Sequence, residues 1–205
     1  MKKSVLILLI ILAALLSFVA YTLISTGFFR EINNTQDYEV IAEIPMFGAE
    51  DLTISYEDTF MIVSQDDRAA WFSGRKRKGE LFLIDLSESN FQPKRLKTNK
   101  QMFPHGISLY KLDSGSYQLL VVNHLIGHTI EKFELIGDSL VHLKTFEDPS
   151  MISPNDVVIL DEDRFYFTND HGYSSKWGLT FENYFGLAVS NVVYFDGSQL
   201  IEADG

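Results

Sequence analysis

The sequence predicts an all-β domain of repeated four-stranded units, a β-propeller with about three blades present, placed after an N-terminal transmembrane helix. Three observations carry that reading. Residues 5–24, VLILLIILAALLSFVAYTLI, form an uncharged apolar run. Beyond it, short β-branched and aromatic runs alternate with Gly, Asp, Ser and Asn turns every ~8–12 residues. Those runs recur as units of about 50 residues, each opened by a short polar motif.

Twenty residues at about 1.5 Å each span roughly one bilayer core, so residues 1–29 read as a signal anchor. Lys2 and Lys3 stay on the cytoplasmic side. Everything after Arg30 then lies outside, a membrane-anchored type II arrangement, or is secreted if the chain is cleaved near Ser25-Thr26-Gly27. REINNTQD, residues 30–37, reads as a polar linker and contains the glycosylation sequon Asn33-Asn34-Thr35.

Residues 38–205 hold the repeats. YEVIAEI (38–44) reads as an entry strand. The first unit spans about 50–98, with EDLTISY, TFMIVSQD, GELFLIDL and PKRLKT as its strands. The second spans 105–146, with HGISLYKL, YQLLVVNH, TIEKFEL and SLVHLKTF. The third spans 155–204, with NDVVILDE, DRFYFTND, SNVVYFD and QLIEAD, and carries an insertion over 172–189. Four antiparallel strands at this period make a propeller blade, which buries its faces only against neighbouring blades. In the insertion, Trp177, Phe181, Tyr184 and Phe185 fall on one helical face. Such a helix either packs its aromatics on the blades or turns them to a membrane or a substrate.

Composition narrows the chemistry. The chain has 205 residues, 28 acidic against 17 basic, a net charge of −11 and no cysteine. A nucleic-acid partner is excluded, because it needs a basic face. Disulfides, thiolate catalysis and cysteine-bound zinc are excluded as well. Carboxylates that hold a hard cation such as calcium remain.

The second unit opens with a histidine hairpin. With Asp113–Ser116 as a four-residue loop, Leu112 pairs with Tyr117 and His105 lies opposite His124 on one face. Their Cβ atoms would then be about 4.5–5.5 Å apart. Two such imidazoles can pass a proton, and mutual repulsion keeps at least one neutral. The openings Glu50-Asp51, His105 and Asn155-Asp156 match between units, as do Gln65-Asp66, Asn123-His124 and Asn169-Asp170 at the ends of the second strands. In a propeller, matched openings converge on the central channel.

AEDLTI, PHGISLY, LLVVNH, VHLKTF, PNDVVIL, FYFTNDH and YFGLAVSNVVYF stand in order from residue 38 to the end. On these motifs the chain resembles the paraoxonase/arylesterase family, calcium-dependent six-bladed propeller hydrolases with an N-terminal signal anchor. The resemblance implies two calcium ions in the central tunnel. Glu50 and Asn155 match ligands of a catalytic ion; Asp51, Asp156 and the backbone carbonyl of Ile107 match ligands of a structural one. It also implies that His105 is the general base and His124 its relay, with Asp170 and His171 near the active site. The implied activity is arylesterase or lactonase hydrolysis of lipophilic esters and lactones. The family closes its ring with a disulfide, which this chain lacks, and continues for about three more blades. A membrane-anchored propeller fragment that binds without catalysing is therefore the competing expectation.

Other features read more plainly. Arg75-Lys76-Arg77-Lys78 is expected in a solvated loop, and His128 and His142 on outer strands facing solvent. Met46, Phe47 and Phe103 either pack within blades or line a lipophilic mouth.

Overall fold

The computed structural model describes residues 2–33, 35 and 37–203. It divides into one unit up to Ile41 and a second from Ala42 onward. In the first, helix α1 (Lys3–Ser25) is long and apolar enough to cross a membrane, with mean hydropathy 2.8. None of its residues is buried within the protein, which suits a helix whose backbone bonds are internally satisfied and whose side chains meet lipid. The sequon includes Asn34, which lies outside the described residues.

The second unit holds three four-stranded antiparallel sheets, each in sequential strand order. The first comprises β1 (Ala49–Ser55), β2 (Phe60–Asp66), β3 (Gly79–Asp85) and β4 (Lys94–Arg95). The second comprises β5 (Pro104–Lys111), β6 (Tyr117–Asn123), β7 (Thr129–Ile136) and β8 (Ser139–Phe146). The third comprises β9 (Pro154–Ile159), β10 (Phe165–Asn169), β11 (Asn191–Phe195) and β12 (Leu200–Glu202). Short helices α2 (Arg68–Phe72) and α3 (Lys176–Phe185) interrupt the first and third.

The middle sheet explains the packing. Every residue of β6 is buried. Leu119 and Val121 join Ile62, Leu81 and Phe133 in one core, while Leu120 and Val122 join Val157, Phe167 and Val193 in another. Because successive strand residues point to opposite faces, one apolar run, YQLLVVN, serves both cores. A sheet covered on both faces has continuous apolar strands, not alternating ones.

Three expected elements differ. Residues 38–44 form no strand, and Tyr38, Val40 and Ile41 are exposed; apolar alternation makes a strand only where a partner edge exists. The PKRLKT strand shrinks to Lys94–Arg95, after which Lys97 crosses to a parallel bridge with Ser139 of β8. The β5–β6 hairpin is shifted by one residue: Lys111, not Leu112, pairs with Tyr117. The loop is correspondingly longer, closed by Leu112 N–H to the Ser116 carbonyl.

Helix α3 forms within the 172–189 insertion. Ser175 Oγ caps its N-terminus by accepting from Gly178 N–H at 3.1 Å, and it ends at Gly186 in the left-handed conformation. Its buried side chain is Glu182, whereas Trp177 is 77% exposed and Phe181, Tyr184 and Phe185 also stand open. The aromatic face therefore does not pack on the sheets, and a carboxylate anchors the helix instead.

Candidate functional site

The three sheets open in the same way. The N–H at the end of each second strand or just after it donates back across the start of the first: Asp66 to the Gly48 carbonyl, His124 to Phe103 and Asp170 to Ser153, at 2.8–3.0 Å. The ladders begin with Ala49 opposite Gln65, Pro104 opposite Asn123 and Pro154 opposite Asn169. In each ladder the register then shifts. Glu50, His105 and Asn155 are thus structural equivalents, each in an irregular opening that re-aims a side chain.

That irregularity repairs the hairpin shift. A one-residue change of register sends side chains to the opposite face, yet the bulge between Pro104 and Ile107 restores the meeting of His105 and His124. Their rings stand edge to face with centroids 5.4 Å apart. Bulges leave backbone groups without ladder partners. The first sheet supplies partners here: Ser64 Oγ donates to the His105 carbonyl at 2.6 Å, and Ile107 N–H donates to Asp51 Oδ2 at 2.8 Å. Gly106 approaches the third sheet so closely that a Cβ there would lie 2.5 Å from the Asn155 carbonyl oxygen. Close approach, not turn chemistry, requires glycine at this position.

His105 Nε2 lies 3.6 Å from Glu50 Oε2. Burial, then the Arg68 charge, lowers the pKa of His105, with Glu50 opposing. His124 is pushed down to about 4, by burial first and then by His128 and His105. Both imidazoles are therefore neutral at pH 7. Asp170 accepts from Ser153 Oγ and, at 3.5 Å, from Asn155 Nδ2. His171 Nδ1 is held 3.2 Å from Glu182 of α3. His105, His124, Asn155, Asp170 and His171 all line a cleft of about 440 Å³. Glu50, Asp51, Ile107 and Asp156 are not among its lining residues.

Several residues at this site read otherwise in the sequence. His128 lies on no strand: it precedes β7, lines the cleft, and its Nδ1 sits 2.9 Å from His124 Nδ1. Arg77 is not solvated but clamps the fully buried Asp66 through Nε and Nη2 and stacks on Phe103 at 4.2 Å. Arg68 Nε bridges Asp66 and Glu50, each at 3.3 Å. His142 lies on β8 as expected, but its Nε2 meets the buried Glu131 at 2.9 Å rather than solvent. Phe47 is exposed. The spacing of His128 four residues beyond His124, with a glycine between, was the signal that an i to i+4 turn brings them together. No spacing rule points to the Arg77–Asp66 pair.

The residues suit a hard dication in their chemistry. Asp51 lies on the first sheet and Asp156 on the third, and partial desolvation, then the Asp51 charge, pushes the Asp156 carboxyl up. Oxygen donors under mutual repulsion are what calcium neutralises. Among the described residues, no three His, Asp or Glu side chains converge as a metal cluster.

Three antiparallel sheets whose matched openings bring paired imidazoles beside carboxylates and an amide define an all-β protein with a polar, base-containing cleft. The arylesterase family model matches residues 71–203. The chain belongs to that family. It is similar to serum paraoxonase/arylesterase 2 of Gallus gallus, 39% identical over 134 residues, 62% of this chain and 38% of the relative. Serum paraoxonase/arylesterase 1 of Homo sapiens is 36% identical over 137 residues, and paraoxonase/arylesterase 2 of Bos taurus 33% over 138. The matched region spans 38–39% of these relatives' length. A solved endo-1,4-beta-xylanase from Bacteroides thetaiotaomicron gives a TM-score of 0.38 at 11% identity, over 78% of this chain and 56% of its own, too low to bear on fold or function.

Proposed function

We propose that this chain carries the histidine side of a calcium-dependent ester and lactone hydrolase built as a β-propeller and tethered to a membrane by α1. The observation that carries the reading is His105: a largely buried imidazole, 15% exposed, held between the Glu50 carboxylate and the edge of His124, at the wall of a cleft. A base must be unprotonated to act, and burial together with Arg68 keeps His105 so at neutral pH.

His105 takes a proton from water as the water oxygen bonds to the acyl carbon, and His124 relays that proton onward. Glu50 orients the His105 ring. Glu50 and Asn155 would hold a catalytic calcium, and Asp51, Asp156 and the Ile107 carbonyl a structural one. When bound, calcium supplies a Lewis acid that polarises the acyl carbonyl and stabilises the oxyanion. Asp170, tied to Asn155, fixes that amide, and His171 links the cleft wall to α3. The exposed aromatics of α3 suit lipophilic aryl esters and lactones, and equally a bilayer surface.

The test is hydrolysis of phenyl acetate or a medium-chain lactone, with and without a calcium chelator, by the chain and by His105→Gln. The variant should lose about 10²–10⁴-fold in rate, and the chelator should abolish turnover. Turnover that survives both would sink the reading. A second reading, an anchored module that binds calcium without turnover, is favoured by the incomplete ligand set among the described residues. It predicts calcium-dependent stabilisation with no hydrolysis.

A further inference from the structure

The cleft wall contains a third imidazole that the proposed dyad does not use. His128 is brought to it by the loop between β6 and β7. Asn123 Oδ1 accepts from Leu125 N–H at 3.0 Å, turning the chain as it leaves β6. Gly127 then adopts φ +70°, a conformation that side-chain-bearing residues rarely take. Those two local devices fold HLIGH back on itself. His128 Nδ1 lands 2.9 Å from His124 Nδ1, with the rings edge to face at 5.0 Å. His105, His124 and His128 form a file running from the largely buried base to an exposed residue.

Two Nδ1 atoms at 2.9 Å share one proton, so one ring donates and the other accepts. The tautomer of His124 is thereby tied to that of His128. An imidazole that relays a proton takes it in at one ring nitrogen and gives one up at the other. Hydrolysis of an ester to a carboxylate and an alcohol releases a net proton, which must leave a site where His124 is mostly buried. We propose that His128 is a positioning residue for the reaction, fixing the tautomer of His124 and carrying the released proton from the His105–His124 pair to bulk water. The proton enters His124 at the nitrogen away from His128. His124 gives its Nδ1 proton to His128, and His128 loses its Nε2 proton to solvent. Exchange with water then restores both starting tautomers.

This inference rests on the hydrolase reading of the same cleft, so its test has an arm independent of turnover. Imidazole ¹⁵N NMR on the full chain in detergent, comparing the unmodified protein with His128→Phe and His128→Asn, reads the tautomer of His124 directly. A single His124 tautomer is expected in the unmodified chain and a mixture in His128→Phe. Unchanged His124 signals in the variant overturn the inference whatever the kinetics show. In the hydrolysis assay, His128→Phe should lower kcat about 100-fold, the low end for a positioned proton carrier. KM should hold, and added imidazole buffer should restore much of the rate. A purely structural role moves neither the tautomer nor the buffer dependence, and that result would also overturn it. If the tautomer changes but the unmodified chain hydrolyses nothing, the hydrolase reading falls while the His124–His128 coupling stands.

Discussion

On the imidazole side of the cleft, His105, His124 and His128 satisfy one another through ring contacts and one Nδ1···Nδ1 hydrogen bond. The carboxylates behind the cleft wall are organised differently. Asp66 is clamped by Arg77 and touched by Arg68, which also meets Glu50. Asp51 and Asp156 have no Lys or Arg partner among the described residues; they accept backbone N–H groups and repel each other. Neutral rings are inexpensive to bury, whereas buried carboxylates need a compensating charge. The difference separates Asp66, neutralised by arginine, from Asp51 and Asp156, which meet no Lys or Arg side chain among the described residues.

The largest expected effect tests the neutralised half. Arg77→Met removes the principal partner of the fully buried Asp66 and should destabilise the chain by about 3–5 kcal/mol, read as a urea midpoint shift. The double variant Arg77→Met/Asp66→Leu should recover most of that loss, because an apolar pair of similar size needs no counter-charge. If the double variant is as unstable as the single, Arg77 acts through its stacking on Phe103 and not through charge.

Next in size is the pH response of the imidazole side. His124 has a folded-state pKa near 4 against an ordinary 6.5, and His105 is shifted the same way. The unfolded chain therefore binds protons first on acidification. Stability should be constant above about pH 6.5 and fall as pH drops toward 4, by at most about 3 kcal/mol for His124 and less after solvent screening. Asp156, shifted upward, contributes in the opposite direction nearer the carboxylate range. Urea melts between pH 7.5 and 4.5 should show the decline and His124→Asn should flatten it. A profile insensitive to that substitution would mean the ring is solvated in solution.

How much of this was legible in the sequence follows the same division. The sheets were, because YQLLVVN, TIEKFELI and FYFTN show burial through composition and period. The matched polar openings were legible because repetition at a fixed period makes weak dipeptides informative. The meeting of His105 and His124 was read correctly from a hairpin register that was wrong by one, and a bulge made up the difference. Bulges carry no periodic signal. YEVIAEI misled because a strand pattern does not reveal whether a partner edge exists. Arg77 misled because four adjacent basic residues look solvated, and the carboxylate that draws one inward lies at the end of β2, before the loop.

The smallest stability effect probes the open half and is the most informative about it. Asp156→Asn removes one charge from the repelling pair while keeping an oxygen that accepts the Val157 N–H. In metal-free buffer this should stabilise the chain by less than about 1 kcal/mol, as for other solvent-screened charge pairs. Calcium should raise the melting temperature of the unmodified chain in a concentration-dependent way, and Asp156→Asn should lose most of that rise. The same titration on Arg77→Met should keep it, since that pair is neutralised without metal. Equal calcium responses in the unmodified chain and Asp156→Asn would place the ion elsewhere, and would return Asp51 and Asp156 to a purely structural role in joining the first and third sheets to the bulge at Ile107.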